Sequence, residues 1–442
     1  MKIRTTLMAT ASLAFATSIA APAFAQSAAP ASPAARPAQA GPIATYKSPV
    51  RHRLYIATPG DAGADDQSGV VVLDADHDYR FVKRIPYDLS AAELPGPKIS
   101  GMTSSIPANM IYVTTDGGSM IAFDLKTDKI VWNFYGEGKT ANVPITQNGA
   151  AGSGCCERPY TMPNDGGKTL LVASAYNHWW YQIDAMTGKV LGKIDTPEEP
   201  NSHNLNVTAD GKLGMLSSYS PPPHSNVAVV DLPNKKVICN IRFTANPRPL
   251  TMNHDGSLIY VNVDNLDGFE IADTKTCQMI KRVELPGEMW KAKWADGNHR
   301  FFGHGEPSHG IGMTPDESEI WVTDAINESW QVWDNPGDGR NPVYNPMKTV
   351  KVTPSEESHG SAWISMTNDG KTAFTSDGSI IDVKAHKVIG VMKDEYGRPI
   401  HAAEKLLLMA FQDGKLIETS NQFAIGNEEA YRARMGNKQA SN

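Results

Sequence analysis

The chain lacks the sequence patterns that would place it in several large classes of protein. Only four of its 442 residues are cysteines, and neither a C-x-x-C-H haem-attachment motif nor a C-x-x-C zinc pattern is present. Covalent c-type haem is therefore excluded as a cofactor. The net charge of −7 is spread over interspersed acids and bases. No basic stripe predicts a nucleic-acid partner, and no basic amphipathic helix predicts binding to a membrane surface.

Long apolar segments are also missing, except near the N-terminus. Lys2 and Arg4 precede an apolar, alanine-rich stretch that ends in Ala23-Phe24-Ala25, a small-x-small cleavage site. This arrangement predicts a secretory signal peptide over residues 1–25. Elsewhere the sequence contains no run of about 20 apolar residues, the length needed to span a bilayer. We therefore expect a periplasmic or secreted protein without a membrane span, with a disordered Ala/Pro-rich leader over residues 26–45.

Helical periodicity is nearly absent from the rest of the chain, whereas short alternating strand patterns recur throughout. Segments such as NMIYVTTD, NVAVVDL, LIYVNVD and EIWVTDA are bounded by Gly, Asp and Asn. An aspartate, usually followed by glycine, precedes an inner strand in five places, with spacings of 45, 45, 61 and 53 residues: Asp165, Asp210, Asp255, Asp316 and Asp369. Each interval holds about four short strands, which is the size of a β-propeller blade.

Two further units precede these five and bring the count to seven. SSIPANMIYVTTDGGSMIAFDLKTDKIVWNFY lacks the aspartate, and RHRLYIAT with GVVVLDADHDYRFVKRIPY forms an N-terminal unit. The C-terminal segment EKLLLMAFQDGKLIETSNQF offers only one or two strands, so we expect it to pair with the N-terminal unit and close the ring. The sequence thus predicts an all-β, seven-bladed propeller of four-stranded antiparallel blades over residues 46–425, with eight blades as the alternative and residues 426–442 as a tail.

The repeats resemble those of YVTN-type β-propeller proteins, named for a strand that ends in Tyr-Val-Thr-Asn. TPDESEIWVTD, NHDGSLIYVNVDN and TADGKLGMLSS carry the resemblance, which extends at repeat level over residues 100–390. It implies the propeller fold. It implies no single function, because propellers of this type include enzymes, metal-binding proteins and scaffolds.

The position seven residues before each aspartate, which we call the slot, carries side chains able to bind an anion or a metal. Four consecutive units hold Arg158, His203, Arg248 and His309 there. The fifth unit is longer before its aspartate, and the residues near its slot and beyond are His359, His401 and Lys405. Residues that enter the innermost strand of a propeller lie at the mouth of the central channel, so we expect these side chains to converge. The alternative interpretation is structural: each histidine, with its flanking serine, would hydrogen-bond to a neighbouring turn.

Convergent imidazoles without thiolates favour copper or zinc over calcium or magnesium as the bound metal, and of these we expect copper. The predicted metal ligands are His203, His309, His359 and His401. Two of them, His309 and His359, are also the predicted catalytic groups. Basic side chains without an anion or a metal between them would repel one another, which favours a functional site over a purely structural one.

Arginines beside such a centre would hold an anionic substrate through paired hydrogen bonds. The predicted substrate-binding residues are Arg158, Arg248 and Lys405. The EPSH segment that ends at His309, together with the channel histidines, resembles copper-binding propellers of the nitrous oxide reductase and thiocyanate dehydrogenase kind. This resemblance implies an oxidoreductase that acts on a small anionic or polar substrate, with a periplasmic electron carrier as the candidate protein partner.

Two other functions stay open at the level of sequence. A calcium-dependent, lactonase-type hydrolase would use oxygen ligands, for which the chain offers Asn204, Asn206, Asp264, Asn265 and Asp324. A non-catalytic binding or scaffold propeller would need no metal. The segment GCCERP is similar to the adjacent cysteine pair of pyrroloquinoline quinone dehydrogenases, but the tryptophan docking repeats of those enzymes are missing.

Export makes all four cysteines candidates for disulfide bonds. Cys155 and Cys156 are adjacent and could pair with each other or remain separate. Cys239 and Cys277 fall in late strands of successive units and could also pair. The sequence leaves their connectivity open.

Overall fold

The computed structural model describes residues 48–58, 69–87, 99–115, 119–134, 136, 155–175, 177–286, 307–352, 363–400 and 405–420. All of them belong to one compact unit, residues 47–442. The predicted signal peptide, leader and C-terminal tail lie outside these described residues. Within the described ranges, no helix has the length and apolar character needed to cross a membrane.

The described chain is built almost entirely of short strands. In chain order they are β1 Arg51–Thr58, β2 Gly69–Asp74, β3 Arg80–Pro86, β4 Ile99–Ser105, β5 Met110–Thr115, β6 Ser119–Asp124, β7 Ile130–Phe134, β8 Pro159–Thr161, β9 Thr169–Ala173, β10 Trp179–Asp184, β11 Val190–Asp195, β12 Ser202–Val207, β13 Leu213–Ser218, β14 Asn226–Asp231 and β15 Lys236–Arg242. The remainder are β16 Pro247–Met252, β17 Leu258–Val263, β18 Gly268–Asp273, β19 Gln278–Glu284, β20 Ile311–Met313, β21 Glu319–Asp324, β22 Ser329–Asp334, β23 Val343–Tyr344, β24 Val350–Lys351, β25 Ile364–Met366, β26 Thr372–Thr375, β27 Ser379–Asp382, β28 Lys387–Val391, β29 Lys405–Gln412 and β30 Lys415–Thr419. Single 3₁₀ turns occur at Pro163–Asp165 and Pro346–Lys348.

These strands form seven small antiparallel sheets, which confirms the seven-bladed propeller and excludes the eight-bladed alternative. Blade 1 contains β1–β3 with β29 and β30, and blades 2 to 7 contain β4–β7, β8–β11, β12–β15, β16–β19, β20–β24 and β25–β28. The innermost strands contact one another in the closed cycle β29, β4, β8, β12, β16, β20, β25 and back to β29. They therefore surround a central channel.

The strand patterns of the sequence follow from the radial position of each strand. Inner and middle strands such as β5 and β17 are buried along their whole length, because a neighbouring blade covers each face. Outermost strands such as β7 and β19 alternate between covered and exposed positions. Alternation marks a sheet with one face toward water, and continuous apolar runs mark strands covered on both faces.

Seven apolar clusters hold the ring together. Each main cluster lies between two successive blades, from the cluster of Tyr55 and Ile111 between blades 1 and 2 to the cluster of Leu54 and Phe374 between blades 7 and 1. A blade therefore buries its apolar faces only against its neighbours, as in other repeat architectures.

The C-terminal strands close the ring, as predicted. β29 pairs with β1 in antiparallel register, with Tyr55 opposite Leu407 and Ala57 opposite Lys405. β30 pairs with the second half of β29 on its channel side. Its residues also bond to blades 2 and 7, where Ser104 Oγ donates to Thr419 Oγ1 at 2.8 Å and Asn368 Nδ2 donates to Glu418 Oε1 at 2.8 Å. β30 therefore occupies one end of the channel.

The repeated aspartates have a local role that corrects one detail of the prediction. They lie in the turn between the first and second strands of each blade, so the inner strand precedes the aspartate instead of following it. Asp210 Oδ1, for example, accepts from the backbone N–H of Lys212 and from Thr208 Oγ1. Such side chain-to-backbone bonds replace part of the ladder at a tight turn. The slot, seven residues earlier, is therefore the start of the inner strand.

Two disulfides are formed, Cys155 with Cys156 and Cys239 with Cys277. The second joins β15 of blade 4 to the turn between β18 and β19 of blade 5 and closes a loop across 38 residues.

We predict that replacing both Cys239 and Cys277 by serine lowers the free energy of unfolding by about 3–4 kcal/mol, because the unfolded chain regains the freedom that a loop of this length loses. Denaturant unfolding of the variant against the wild type measures this loss. As a control, the wild type and the variant should have nearly equal stability when both are unfolded under reducing conditions, because neither then has this disulfide. Labelling of thiols at these positions in the native, unreduced protein would contradict the pairing.

Candidate functional site

The slot residues lie together at one end of the channel, opposite the end that β30 occupies. His203 and Arg248 are the second residues of β12 and β16, and Lys405 is the first residue of β29. Arg158 directly precedes β8, and His309 lies two residues before β20. His359 and His401, the other two predicted ligands, lie outside the described residues.

Irregular strand pairing accompanies two of the slots. The register between β12 and β13 shifts between Ser202 and Leu205, and that between β16 and β17 shifts between Pro247 and Leu250. Each shift includes the slot residue, so the inner strand joins its regular ladder only after the slot. Such bulges redirect side chains at the rims of β structures.

The serines that precede the two histidines attach the slots to the preceding blade. Ser202 Oγ accepts from the backbone N–H of Ser174 at 2.8 Å, and Ser308 Oγ accepts from that of Gly268 at 2.9 Å. Ser308 Oγ in turn donates to Asp267 Oδ1 at 3.0 Å. Burial, helped by the nearby Asp324, raises the pKa of Asp267 well above its usual range. The alternative interpretation held that each histidine and its flanking serine bond to a neighbouring turn. The serines do form such bonds, whereas the imidazoles have other contacts.

Trp363 is the point at which several slot residues meet. It directly precedes β25 in blade 7, and its relative exposure is 5%. It nevertheless packs in the same apolar cluster as Met162 of blade 3 and Leu205 of blade 4. Its indole therefore reaches across the channel to the opposite side of the ring.

Three basic side chains from three other blades contact the Trp363 ring. The Arg158 guanidinium carbon lies 4.8 Å from the ring centroid and the Lys405 Nζ lies 3.3 Å from it. The His309 ring approaches edge-on, with the centroids 5.6 Å apart. Cations are attracted to the face of an indole ring, which stabilises positive charge where water is excluded. We call Trp363 with Arg158, His309 and Lys405 the indole platform.

Arg158 is held in place by the backbone that precedes it and by a hydrogen bond from its side chain. The disulfide of Cys155 and Cys156 lies in the apolar cluster between blades 2 and 3. The backbone N–H of Glu157 donates to the carbonyl of Ala173 at 2.9 Å, which extends the pairing of β8 with β9. At its far end, Arg158 Nε donates to Asn204 Oδ1 of blade 4 at 3.0 Å.

His203 has a carboxylate partner and an aromatic neighbour. Its Nδ1 contacts Glu157 Oε2, and its ring lies 5.0 Å from that of Tyr219. Burial lowers the pKa of His203; Glu157 acts in the opposite direction, and the charges of Arg158 and Arg248 add to the lowering. The net direction is downward, so the imidazole is neutral at neutral pH.

Arg248 is charge-compensated. Its Nε donates to Asp264 Oδ1, in the turn between β17 and β18, and its guanidinium carbon lies 4.6 Å from the centroid of Tyr219. Arg158 has no ion pair with any carboxylate of the described chain. The two arginines occupy equivalent slots, but among the described carboxylates a partner is present for Arg248 and absent for Arg158.

The copper site remains a prediction, because two of its four expected ligands, His359 and His401, lie outside the described residues. No group of three or more His, Cys, Asp or Glu side chains arranged for a metal ion occurs in the part of the chain that the structure describes. Three of the five oxygen donors considered for calcium bond to protein groups: Asn204 and Asp264 to arginines, and Asp324 Oδ2 to Asn327 and Gln331. Asn206 Oδ1 is buried without a hydrogen-bond partner among the described residues. A copper site would therefore depend on His359 and His401.

Sequence reasoning did not identify Trp363, Glu157 or Tyr219. Trp363 carries a usable signal, because it lies six residues before Asp369 and so one residue past the slot. Glu157 directly precedes the slot residue Arg158. Tyr219 follows β13, in a turn at the same end of the ring, and has no signal of its own.

We predict that the depressed pKa of His203 makes the metal-free protein less stable as the pH falls. The unfolded chain binds the proton at a pKa of about 6.5, above the native value, so this contribution is complete above that pH and is lost as the pH falls toward the native pKa. Urea unfolding between pH 5 and 8 should therefore show a smaller loss of stability for His203→Asn than for the wild type. Equal pH dependence of the two proteins would show that His203 titrates normally.

Comparison with known proteins supports the fold alone. No family model matches the chain, and no curated protein matches it. Among solved structures, 1585 chains match, so the architecture is too widespread to indicate an activity. One of them, a functionally unknown protein from Desulfotomaculum acetoxidans, is similar at 11% sequence identity with a TM-score of 0.53. The match covers 79% of this chain and 97% of that one.

Proposed function

We propose that this propeller binds a small anionic substrate at the slot end of its channel. The observation that supports this most directly is the indole platform, where a guanidinium, an ammonium and an imidazole from three blades meet on one tryptophan. Like charges in a buried place repel one another, and an anion between them removes that cost. The opposite end of the channel is occupied by β30, so the substrate would enter at the slot end.

The balance of charge at this end favours an anion over a free cation. Glu157 faces His203 and Asp264 faces Arg248, whereas Arg158 is buried without a carboxylate partner among the described residues. Lys405, with a relative exposure of 1%, adds a second buried basic group beside it. A ligand with negative charge would complete this arrangement.

A narrower proposal is a copper-dependent oxidoreductase. It is supported by the neutral imidazole of His203, since metal ligation requires a deprotonated ring nitrogen, and by the position of His309 at the same end of the channel. His359 and His401 would complete the ligand set. Copper would supply one-electron redox chemistry, and the basic side chains would hold and orient the anion. A calcium-dependent hydrolase and a non-catalytic propeller are the competing functions.

Export belongs to the same proposal. The predicted signal peptide over residues 1–25 would place the protein in the periplasm or outside the cell, where both disulfides are stable. Intact mass of the exported protein tests cleavage after Ala25.

We predict that small anions raise the melting temperature of the protein and that Arg158→Met reduces this effect at least tenfold in apparent affinity. A ligand that binds only the folded state stabilises it by mass action. Thermal unfolding in titrations of formate, acetate, nitrate, thiocyanate, sulfate and phosphate measures the affinity. Arg242→Met, the same change at the exposed end of β15, is the control and should keep wild-type affinity. The absence of stabilisation by every anion would refute the proposal.

Metal analysis of the purified mature protein separates the narrower functions. About one copper ion per chain, lost in His309→Ala, is the expected result for the oxidoreductase. Calcium in place of copper would favour the hydrolase. A metal-free protein that also fails to take up added copper would refute the copper proposal and leave anion binding as the function.

A further inference from the structure

We infer that the bound anion is a carboxylate and that Arg158, with the amide of Asn204 beside it, is its anchor. This inference depends on the proposed anion-binding function and makes it more specific. It distinguishes Arg158 from Arg248, although sequence position makes the two equivalent, and it names the chemical class of the substrate.

Two buried donors at this place have no protein partner among the described residues. They are Nη1 of Arg158 and Nδ2 of Asn204, and the relative exposures of the two residues are 7% and 1%. Buried donors are nearly always hydrogen-bonded, because a donor removed from water without a partner is destabilising. Two such donors on one hydrogen-bonded pair of residues indicate that a ligand supplies the acceptors.

The Arg158–Asn204 bond fixes which edge of the guanidinium is available. Nε donates to Asn204 Oδ1 at 3.0 Å, so that edge is engaged with the protein. Nη1 belongs to the edge formed by the two terminal nitrogens. The guanidinium carbon also lies 4.8 Å from the Trp363 ring centroid, which further fixes the group. A held planar edge of this kind suits an anion that presents two oxygens on one atom, as a carboxylate does, and does not suit a spherical ion.

In the equivalent slot of blade 5, Arg248 Nε likewise donates to a side-chain oxygen, but there the oxygen belongs to a carboxylate, that of Asp264. Asp264 therefore acts as an internal carboxylate for Arg248. The ligand would be the corresponding carboxylate for Arg158.

The neutral donor of Asn204 makes the proposed class of ligand more specific. An amide N–H₂ adds no charge and suits an uncharged oxygen, such as a hydroxyl or carbonyl next to the carboxylate. We therefore expect a 2-hydroxy or 2-oxo carboxylate to bind more tightly than the simple carboxylate of the same size. A ligand oxygen that accepts a hydrogen bond from a buried donor contributes strongly to the preference for that ligand over an analogue without the oxygen.

The test is isothermal titration calorimetry of the mature, disulfide-intact protein with acetate, glycolate, glyoxylate, nitrate, sulfate and phosphate. Glycolate or glyoxylate should bind at least tenfold more tightly than acetate, and acetate more tightly than sulfate or phosphate. The matched variants are Arg158→Lys and Arg248→Lys, the same substitution in equivalent slots. Lysine retains the charge and removes the planar edge, so Arg158→Lys should weaken carboxylate binding at least tenfold and Arg248→Lys less than threefold.

Each other outcome contradicts a defined part of the inference. Tighter binding of sulfate, phosphate or nitrate than of any carboxylate refutes the carboxylate class and keeps the proposed anion site. Equal losses in the two lysine variants refute Arg158 as the specific anchor. The absence of any binding refutes the inference and the proposed function together. If Arg158→Lys does not fold, as judged by circular dichroism, the ranking of ligands by the wild type still decides the class and Arg158→Gln replaces the variant.

Discussion

The backbone ladder between β1 and β29 is the interaction on which the rest of the structure depends. Each blade buries its apolar faces only against its neighbours, so an open ring would leave the faces of blades 1 and 7 in water. The ladder also has a direct consequence for the site. Its register places Lys405, the first residue of β29, opposite Ala57, and this brings the Lys405 ammonium to the indole platform. The strand that completes the fold therefore also supplies a side chain to the channel.

Charge at the slot end is distributed unevenly by local turn structure. The turn after β17 provides Asp264 to Arg248, and the residue before the slot in blade 3 provides Glu157 to His203. Arg158 receives an amide instead of a carboxylate from the neighbouring blade. Among the described residues, the same inner-strand position thus carries a cation paired with a carboxylate in blade 5 and a cation paired with an amide in blade 3. The slots are similar in sequence position, but the partners of their side chains differ. This difference is what distinguishes one slot from another as a place for an anion.

Much of the fold and part of the candidate site could be predicted from the sequence, for a physical reason. The five aspartates bond to backbone N–H groups two or three residues away, so each marks a local turn, and together they identify five of the seven blades. The slot has a fixed offset from that turn, which is why Arg158, His203, Arg248 and His309 could be assigned to one end of the channel. The same offset places Trp363 one residue past the slot, but it does not show what Trp363 contacts. Its role depends on packing across the ring against Leu205, more than 150 residues away, and an apolar residue beside a strand is indistinguishable from core in the sequence. The difference between Arg158 and Arg248 is hidden for the same reason, because it depends on partners from other turns.

Anion binding and copper binding, if both occur, cannot be independent at this end of the channel. A copper ion ligated by His309 would lie near two further basic groups, Arg158 and Lys405, which share the Trp363 ring with that histidine. The added positive charge would strengthen the attraction for an anion, and a bound anion would lower the cost of placing the metal there. Linkage makes this coupling reciprocal: the factor by which metal tightens anion binding equals the factor by which the anion tightens metal binding. A metal lost during purification in anion-free buffer would therefore be recovered more readily with the carboxylate present, so metal content has to be measured in both conditions before it decides between the proposed functions.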